Sequence, residues 1–263
     1  MLFGIDFGTT YTLVTYYENE QIKFIKFKTN CKRSIFLPTN NSGVSNLKRY
    51  IEETSNIEEN HEKLTATVTD FFLFLKKNIN LKFKIDQINC VLTVPVRFND
   101  ISKNLIKKCA IAAGFFIIKL LCEPIAAGFC VLSQKNIKKN DNFLVYDLGG
   151  GTFDLSLFKI EDDVYQILKT HGLNNFGGID IDKIISDHLN INLTEARKIK
   201  EKDLLSIELK KQIKDKLQLT FDLVEEITKG IKINKIILAG GSSKLKIIEK
   251  SLEKKYDILK VEE

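Results

Sequence analysis

Residues Phe143 to Lys159, FLVYDLGGGTFDLSLFK, hold the densest chemistry in the chain. A mostly apolar run ends near the carboxylate of Asp147. Gly149, Gly150 and Gly151 follow, then the Thr152 hydroxyl and a second carboxylate, Asp154. The apolar run before the glycines and the alternating Phe-Asp-Leu-Ser-Leu-Phe pattern after them read as strand, tight turn, strand. Consecutive glycines bring bare backbone N–H groups against a ligand, as a phosphate cradle requires. Carboxylates on both sides suit Mg2+ and its waters. A hairpin that merely needs flexible residues would use the same glycines, so the stretch alone leaves both readings open.

The N-terminus repeats this grammar. In GIDFGTT, Gly4 to Thr10, a strand carries Asp6 at its end, Gly8 makes the turn, and Thr9 and Thr10 supply hydroxyls. Two such hairpins facing each other across a cleft would hold a polyphosphate between two lobes. A third turn, Ala239-Gly240-Gly241-Ser242-Ser243, follows the buried-strand pattern Lys235-Ile236-Ile237-Leu238 and suits a nucleoside platform. Glu123, ahead of Pro124, stands at the mouth of a helix after a strand end, where open α/β sheets place ligands; a plain helix cap reads the same way.

Six segments in order, GIDFGTT, VPVRFND (Val94 to Asp100), EPIAAG (Glu123 to Gly128), YDLGGGTFD (Tyr146 to Asp154), FGGIDID (Phe176 to Asp182) and LAGGSSK (Leu238 to Lys244), resemble the ATPase domain of Hsp70 chaperones, in particular its DnaK and HscA branches. The resemblance covers nearly the whole chain. It implies an α/β, actin-like ATPase fold of the ribonuclease H-like class, with lobe I at 1–140 and lobe II at 141–263 around a nucleotide cleft. It also implies binding of ATP/ADP with Mg2+, and hydrolysis of ATP to ADP and phosphate. Asp6, Glu123, Asp147, Thr152 and Asp154 would be catalytic, with Asp6 and Asp147 holding Mg2+ through water. Gly8, Thr9, Thr10, Tyr11, Gly149 to Thr152, Gly177, Gly178, Lys198, Gly240, Gly241, Ser242 and Lys244 would bind nucleotide. A J-domain co-chaperone, a nucleotide exchange factor, protein folding and iron–sulfur cluster assembly are the corresponding partners and pathways.

Departures from the family's pattern set further expectations. The family's lysine beside the γ-phosphate has no evident counterpart: Lys48 reads as a helix surface residue, and Lys32 is a weaker substitute. Its loss would cost roughly 10²–10³ in rate. The second lobe is contracted, and Lys244 stands where the family stacks an arginine on adenine, which weakens adenine binding because an ammonium lacks the guanidinium plane. The family's closing helix and client-peptide domain are expected to be absent. A non-catalytic nucleotide- or partner-binding remnant is therefore an alternative to an ATPase. An actin-like filament protein or a small-molecule kinase is a more distant one.

Composition frames the elements that must position these groups. At 263 residues and 44% hydrophobic, the chain can fill two modest cores. The net charge of +6 comes from lysines interleaved with acids, as in Glu195 to Lys216, which reads as solvated surface rather than a nucleic-acid face. No apolar run is long enough for a membrane span, so a cytoplasmic location without a membrane partner is expected. The five cysteines, Cys31, Cys90, Cys109, Cys122 and Cys130, lack metal-ligand spacing and read as reduced, packed thiols. Strands are expected within 2–28, at 90–94, 117–121 and 164–168. Helices are expected at 62–80, after Asn99, at 179–189 and from Leu245 to Tyr256, with 133–142 a surface connection. Between Leu204 and Phe221 the pattern allows a hairpin, with Thr220 capping a following helix, or one continuous helix.

Overall fold

The computed structural model describes residues 1–8, 11–25, 36–38, 47–54, 61–96, 98–132, 142–161, 164–233 and 235–260. The expected connection at 133–142 therefore lies outside them except for Asn142. The chain divides into two compact units, Met1–Glu123 and Pro124–Glu263.

In the first unit, β1 (Leu2–Phe7), β2 (Tyr11–Glu18) and β3 (Gln21–Phe24) form an antiparallel meander. Helices α1 (Leu47–Thr54) and α2 (His61–Phe83) precede β5 (Ile88–Val94). Then α3 (Asp100–Ala112) crosses over to β6 (Phe115–Cys122), and the short β4 (Phe36–Pro38) pairs with β2. The sheet order is β3-β2-β1-β5-β6, with β1, β5 and β6 parallel. Period-two side chains on β1 send Phe3, Ile5 and Phe7 into the core. Helix α2 meets them with a stripe at helical spacing, Leu64, Val68, Phe71, Phe72, Leu75 and Ile79. Rings interlock here: Phe7 and Phe71 lie 5.3 Å apart, and Phe72 and Phe115 lie edge-to-face at 5.5 Å. The Asn99 side chain caps α3 by accepting from Ser102 N at 2.8 Å.

The second unit repeats this connectivity. Helix α4 (Glu123–Leu132) leads to the meander β7 (Asn142–Leu148), β8 (Phe153–Glu161) and β9 (Val164–Leu173). Next come α5 (Gly178–Leu189), α6 (Leu193–Glu201), α7 (Ile207–Thr228), β10 (Lys235–Ala239), a 3-10 turn at Gly241–Lys244, α8 (Lys246–Leu252) and β11 (Asp257–Lys260). The order β11-β10-β7-β8-β9 places two parallel strands beside the meander, as in the first unit.

Two expectations are corrected here. The hairpin reading of 204–221 fails: α7 is one helix of 22 residues, capped by Ser206, whose hydroxyl accepts from Leu209 N at 3.2 Å. Leu209, Ile213, Leu217, Thr220, Val224 and Ile227 recur at i+3 and i+4 and are all buried, so Thr220 sits inside the helix rather than capping one. The helix expected to reach Tyr256 stops at Leu252, and the chain turns into β11. Leu252 and Tyr256 share i, i+4 spacing, but the pairing of Ile258 beside Ile236 governs the segment.

Phe72→Ala is expected to destabilise the fold by about 3–5 kcal/mol in chemical denaturation, because Phe72 is fully buried among Phe7, Phe71 and Phe115. Phe116→Ala, on the exposed face of β6, should cost less than about 1 kcal/mol.

Candidate nucleotide site

In the first unit the expected acids lie along one sheet edge. Asp6 closes β1, Thr93 stands near the end of β5, and Glu123 follows β6. These three strands are parallel neighbours, so the residues share the carboxyl edge at which open α/β sheets collect ligands. The Thr93 hydroxyl donates to Asp6 Oδ1 at 2.7 Å and accepts from Phe7 N at 3.3 Å, which orients an exposed carboxylate. Gly8 turns the chain, its N–H donating to the Asp6 carbonyl at 3.1 Å. Thr9, Thr10 and Lys32 lie outside the described residues, and Tyr11 is placed only as the first backbone position of β2.

Lys48 is not a surface residue. It is 4% exposed, and its ammonium donates to Glu123 Oε1. Leu47 and Ile51, four apart on α1, are fully buried, and Lys48 flanks that stripe three positions before Ile51. An ammonium at this depth is tolerated because a carboxylate meets it. The pairing joins 75 positions of sequence and leaves no local signature. Beside it, burial raises the Cys122 thiol above its ordinary pKa; the Glu123 charge adds to the rise and Lys103 opposes it. Burial also pushes Cys90 up to about 12 and raises Cys109, and all three thiols are free of disulfides. The side chains of Cys31 and Cys130 lie outside the described residues.

In the second unit the glycines at 149–151, 177–178 and 240 come together around β7. Asp147 and Asp154 face each other across the β7–β8 ladder, and Gly149 N closes the turn by donating to the Thr152 carbonyl at 2.9 Å. Asp147 is half-buried and Asp154 is buried. Gly178 N and Ile179 N, at the start of α5, donate to the carbonyls of Gly149 and Gly150 at 2.9 and 2.8 Å, which fixes the glycine loop from behind. A Cβ on Gly177 would lie 2.6 Å from Gly151 N, so only glycine permits this approach. Gly240 has φ +78, and a side chain there would strike Asp147 Oδ1 and, at 2.5 Å, the Leu148 carbonyl. Gly241 and Lys244 are exposed, whereas Ser242 and Ser243 are buried.

Lys198, the expected nucleoside contact, is exposed on α6, and Lys200, two positions on, points the opposite way. Lys200 Nζ donates to the Gly178 carbonyl at 2.8 Å and lies 2.5 Å from Asp182 Oδ1; Arg197 Nε donates to Asp182 Oδ2 at 3.1 Å. Burial lowers the Lys200 pKa against the pull of Asp182. Alternation of lysines along α6 hides which one turns inward until Ala196 and Lys200 are seen to share its buried face.

One topology occurring twice, with an acid at the end of the first strand and a glycine turn after it, is the actin-like ATPase fold. A family model described as Hsp70 protein matches residues 45–220, more than half of the sequence. The chain belongs to the Hsp70 family. It is similar to the chaperone protein HscA homologs of Rickettsia felis, at 29% identity over 97% of the chain and 49% of the relative, and of Rickettsia conorii, at 30% identity over 97% and 52%. The chain spans about half the length of these curated relatives. The Rickettsia felis alignment runs over 314 positions against 263 residues, so the relative carries segments inside the matched region that this chain lacks. Among the described residues, no helix is long and apolar enough to cross a membrane.

Gly177→Ala should displace the backbone amide resonances of residues 149–151, because its methyl meets Gly150 and Gly151 backbone. Gly230→Ala, at φ +77 with nothing within 4 Å, should leave those resonances in place and cost about 1 kcal/mol in thermal unfolding.

Proposed function

We propose that the chain is the ATPase module of an Hsp70-type chaperone, binding Mg2+-ATP and hydrolysing it to ADP and phosphate. The observation that carries this reading is the buried Lys48–Glu123 pair at the same sheet edge as Asp6. It brings a buried ammonium to that edge, where the sequence left the family's lysine without an evident counterpart.

The site chemistry fits the ligand. Asp6 and Asp147 are hard oxygen donors at strand ends, suited to Mg2+ and its waters, and the glycine at position 240 lets the third turn pack directly against Asp147. Bound Mg2+ would neutralise charge on the phosphates. In the cradle of Gly149 to Thr152, Gly149 closes the turn and the amides that follow it would face phosphate oxygens, with Gly8, Thr9, Thr10 and Tyr11 as their counterparts in the first unit. Glu123 would orient the attacking water, and Lys48, held by Glu123, would stabilise charge on the transferred phosphoryl group. Thr152 and Asp154 would complete the phosphate side. Gly240, Gly241, Ser242 and Lys244, with Lys198, would take the nucleoside.

The relatives' description as HscA homologs supports a chaperone setting for the module, with a J-domain co-chaperone and a nucleotide exchange factor as partners and iron–sulfur cluster assembly as its pathway. A cytoplasmic location goes with it.

Isothermal titration with Mg2+-ATP, followed by single-turnover hydrolysis on the same sample, tests this reading. Binding with turnover is expected, and Asp147→Ala and Gly150→Val should each abolish one or both without unfolding the chain. Lys48→Met should keep nucleotide binding and lower turnover by about 10²–10³. Binding without turnover in the unaltered chain would make it a nucleotide-sensing module, and unchanged affinity and turnover in both Asp147→Ala and Gly150→Val would refute the assigned site.

A further inference from the structure

The hydroxyl of Ser243 sits between the two peptide groups that flank Asp147. Leu148 N donates to Ser243 Oγ at 2.9 Å, and Ser243 Oγ in turn donates to the Tyr146 carbonyl at 3.4 Å. Ser243 is 1% exposed, so water does not compete for either bond. The location explains the need. β10 pairs with β7 in parallel register as far as Ala239 opposite Asp147, and then Gly240 turns away. Past that point β7 has lost its β10 neighbour, while its backbone is still buried at Leu148. A side-chain hydroxyl arriving one turn later, on the 3-10 segment Gly241–Lys244, takes over from the strand.

We infer that Ser243 is a positioning residue for Asp147: it fixes the backbone on both sides of the metal-binding carboxylate and makes the nucleoside turn and the metal-binding strand one mechanical piece. The inference rests on the nucleotide reading above. Ser243 touches neither phosphate nor metal in this role. It acts by removing rotational freedom at Tyr146–Asp147 and Asp147–Leu148, so the carboxylate meets Mg2+ already aimed. Outer-shell groups that orient a ligand in this way typically govern metal affinity by about 10–100-fold. Tyr146 adds a second anchor on the same strand, since its phenol is buried against the Thr220 hydroxyl of α7 at 2.7 Å.

Two measurements on the whole chain separate this role from the broader reading. Amide hydrogen exchange without nucleotide reads the clamp itself: Ser243→Ala should speed exchange at Leu148 at least about tenfold, with Leu144 and Leu155 unchanged. The Mg2+ concentration for half-maximal single-turnover hydrolysis should rise by about tenfold or more in Ser243→Ala. ATP affinity measured in EDTA should stay within about twofold. Ser243→Thr, which keeps the hydroxyl, should restore both values. Unchanged exchange at Leu148 overturns the inference whatever the nucleotide does. Faster exchange with an unchanged Mg2+ requirement also overturns it, leaving Ser243 a packing contact. A native chain that shows a protected Leu148 amide yet takes no Mg2+-ATP refutes the proposed function, and the clamp loses its role with it.

Discussion

Parallel pairing of β10 with β7 is the constraint on which the second unit's site depends. Parallel neighbours end at the same edge, so the register Ala239 to Asp147 brings the turn after one strand against the acid at the end of the other. Everything around that junction answers a shortage of space. Gly240 lacks a side chain because Asp147 and Leu148 occupy the place a Cβ would take, and Gly177 lacks one because Gly150 and Gly151 do. The polar groups left over at the crowded edge are met by short, exact partners: a serine hydroxyl at Leu148 and helix-start amides at Gly149 and Gly150.

Buried charge is handled in pairs in both units. Lys48 with Glu123 and Lys200 with Asp182 each put an ammonium against a carboxylate away from water, and each stands next to residues of the site. Such pairs contribute little net stability, because desolvation offsets the attraction, but losing one partner strands the other. Their value is directional. An ammonium tied to Glu123 or to the Gly178 carbonyl cannot wander among rotamers, so within each unit the paired groups are ordered before any ligand arrives.

Much of this was legible in the sequence because strands and glycine turns carry local signals. The alternation in FDLSLFK, the acids ahead of glycines and the stripe on α2 needed no knowledge of tertiary contacts, and the observed elements lie where those patterns put them. What failed was decided by distant partners. The charge on Lys48 argued for solvent, and only Glu123, far along the chain, reverses that. Thr220 looks like a cap by residue type, yet Tyr146 and the buried stripe of α7 hold it inside a helix. β11 is four residues long, too short for a periodicity to register, and exists because β10 offers it an edge. Ser243 is one of two adjacent serines, and nothing in their order says which one turns back toward Asp147.

The hydrogen bond between Tyr146 and Thr220 gives α7 a mechanical relation to the acid beside it. Thr220 lies thirteen positions beyond the helix start at Ile207, an arm of about 20 Å at the α-helical rise. Ile207 is 90% exposed at the outer end of that arm, while the pivot is a buried phenol on the residue immediately before Asp147. Leu209, Ile213 and Leu217 are buried along the intervening length, so the helix gives the strand a fixed stop one peptide bond away from the carboxylate, in a rigid rod rather than a flexible loop.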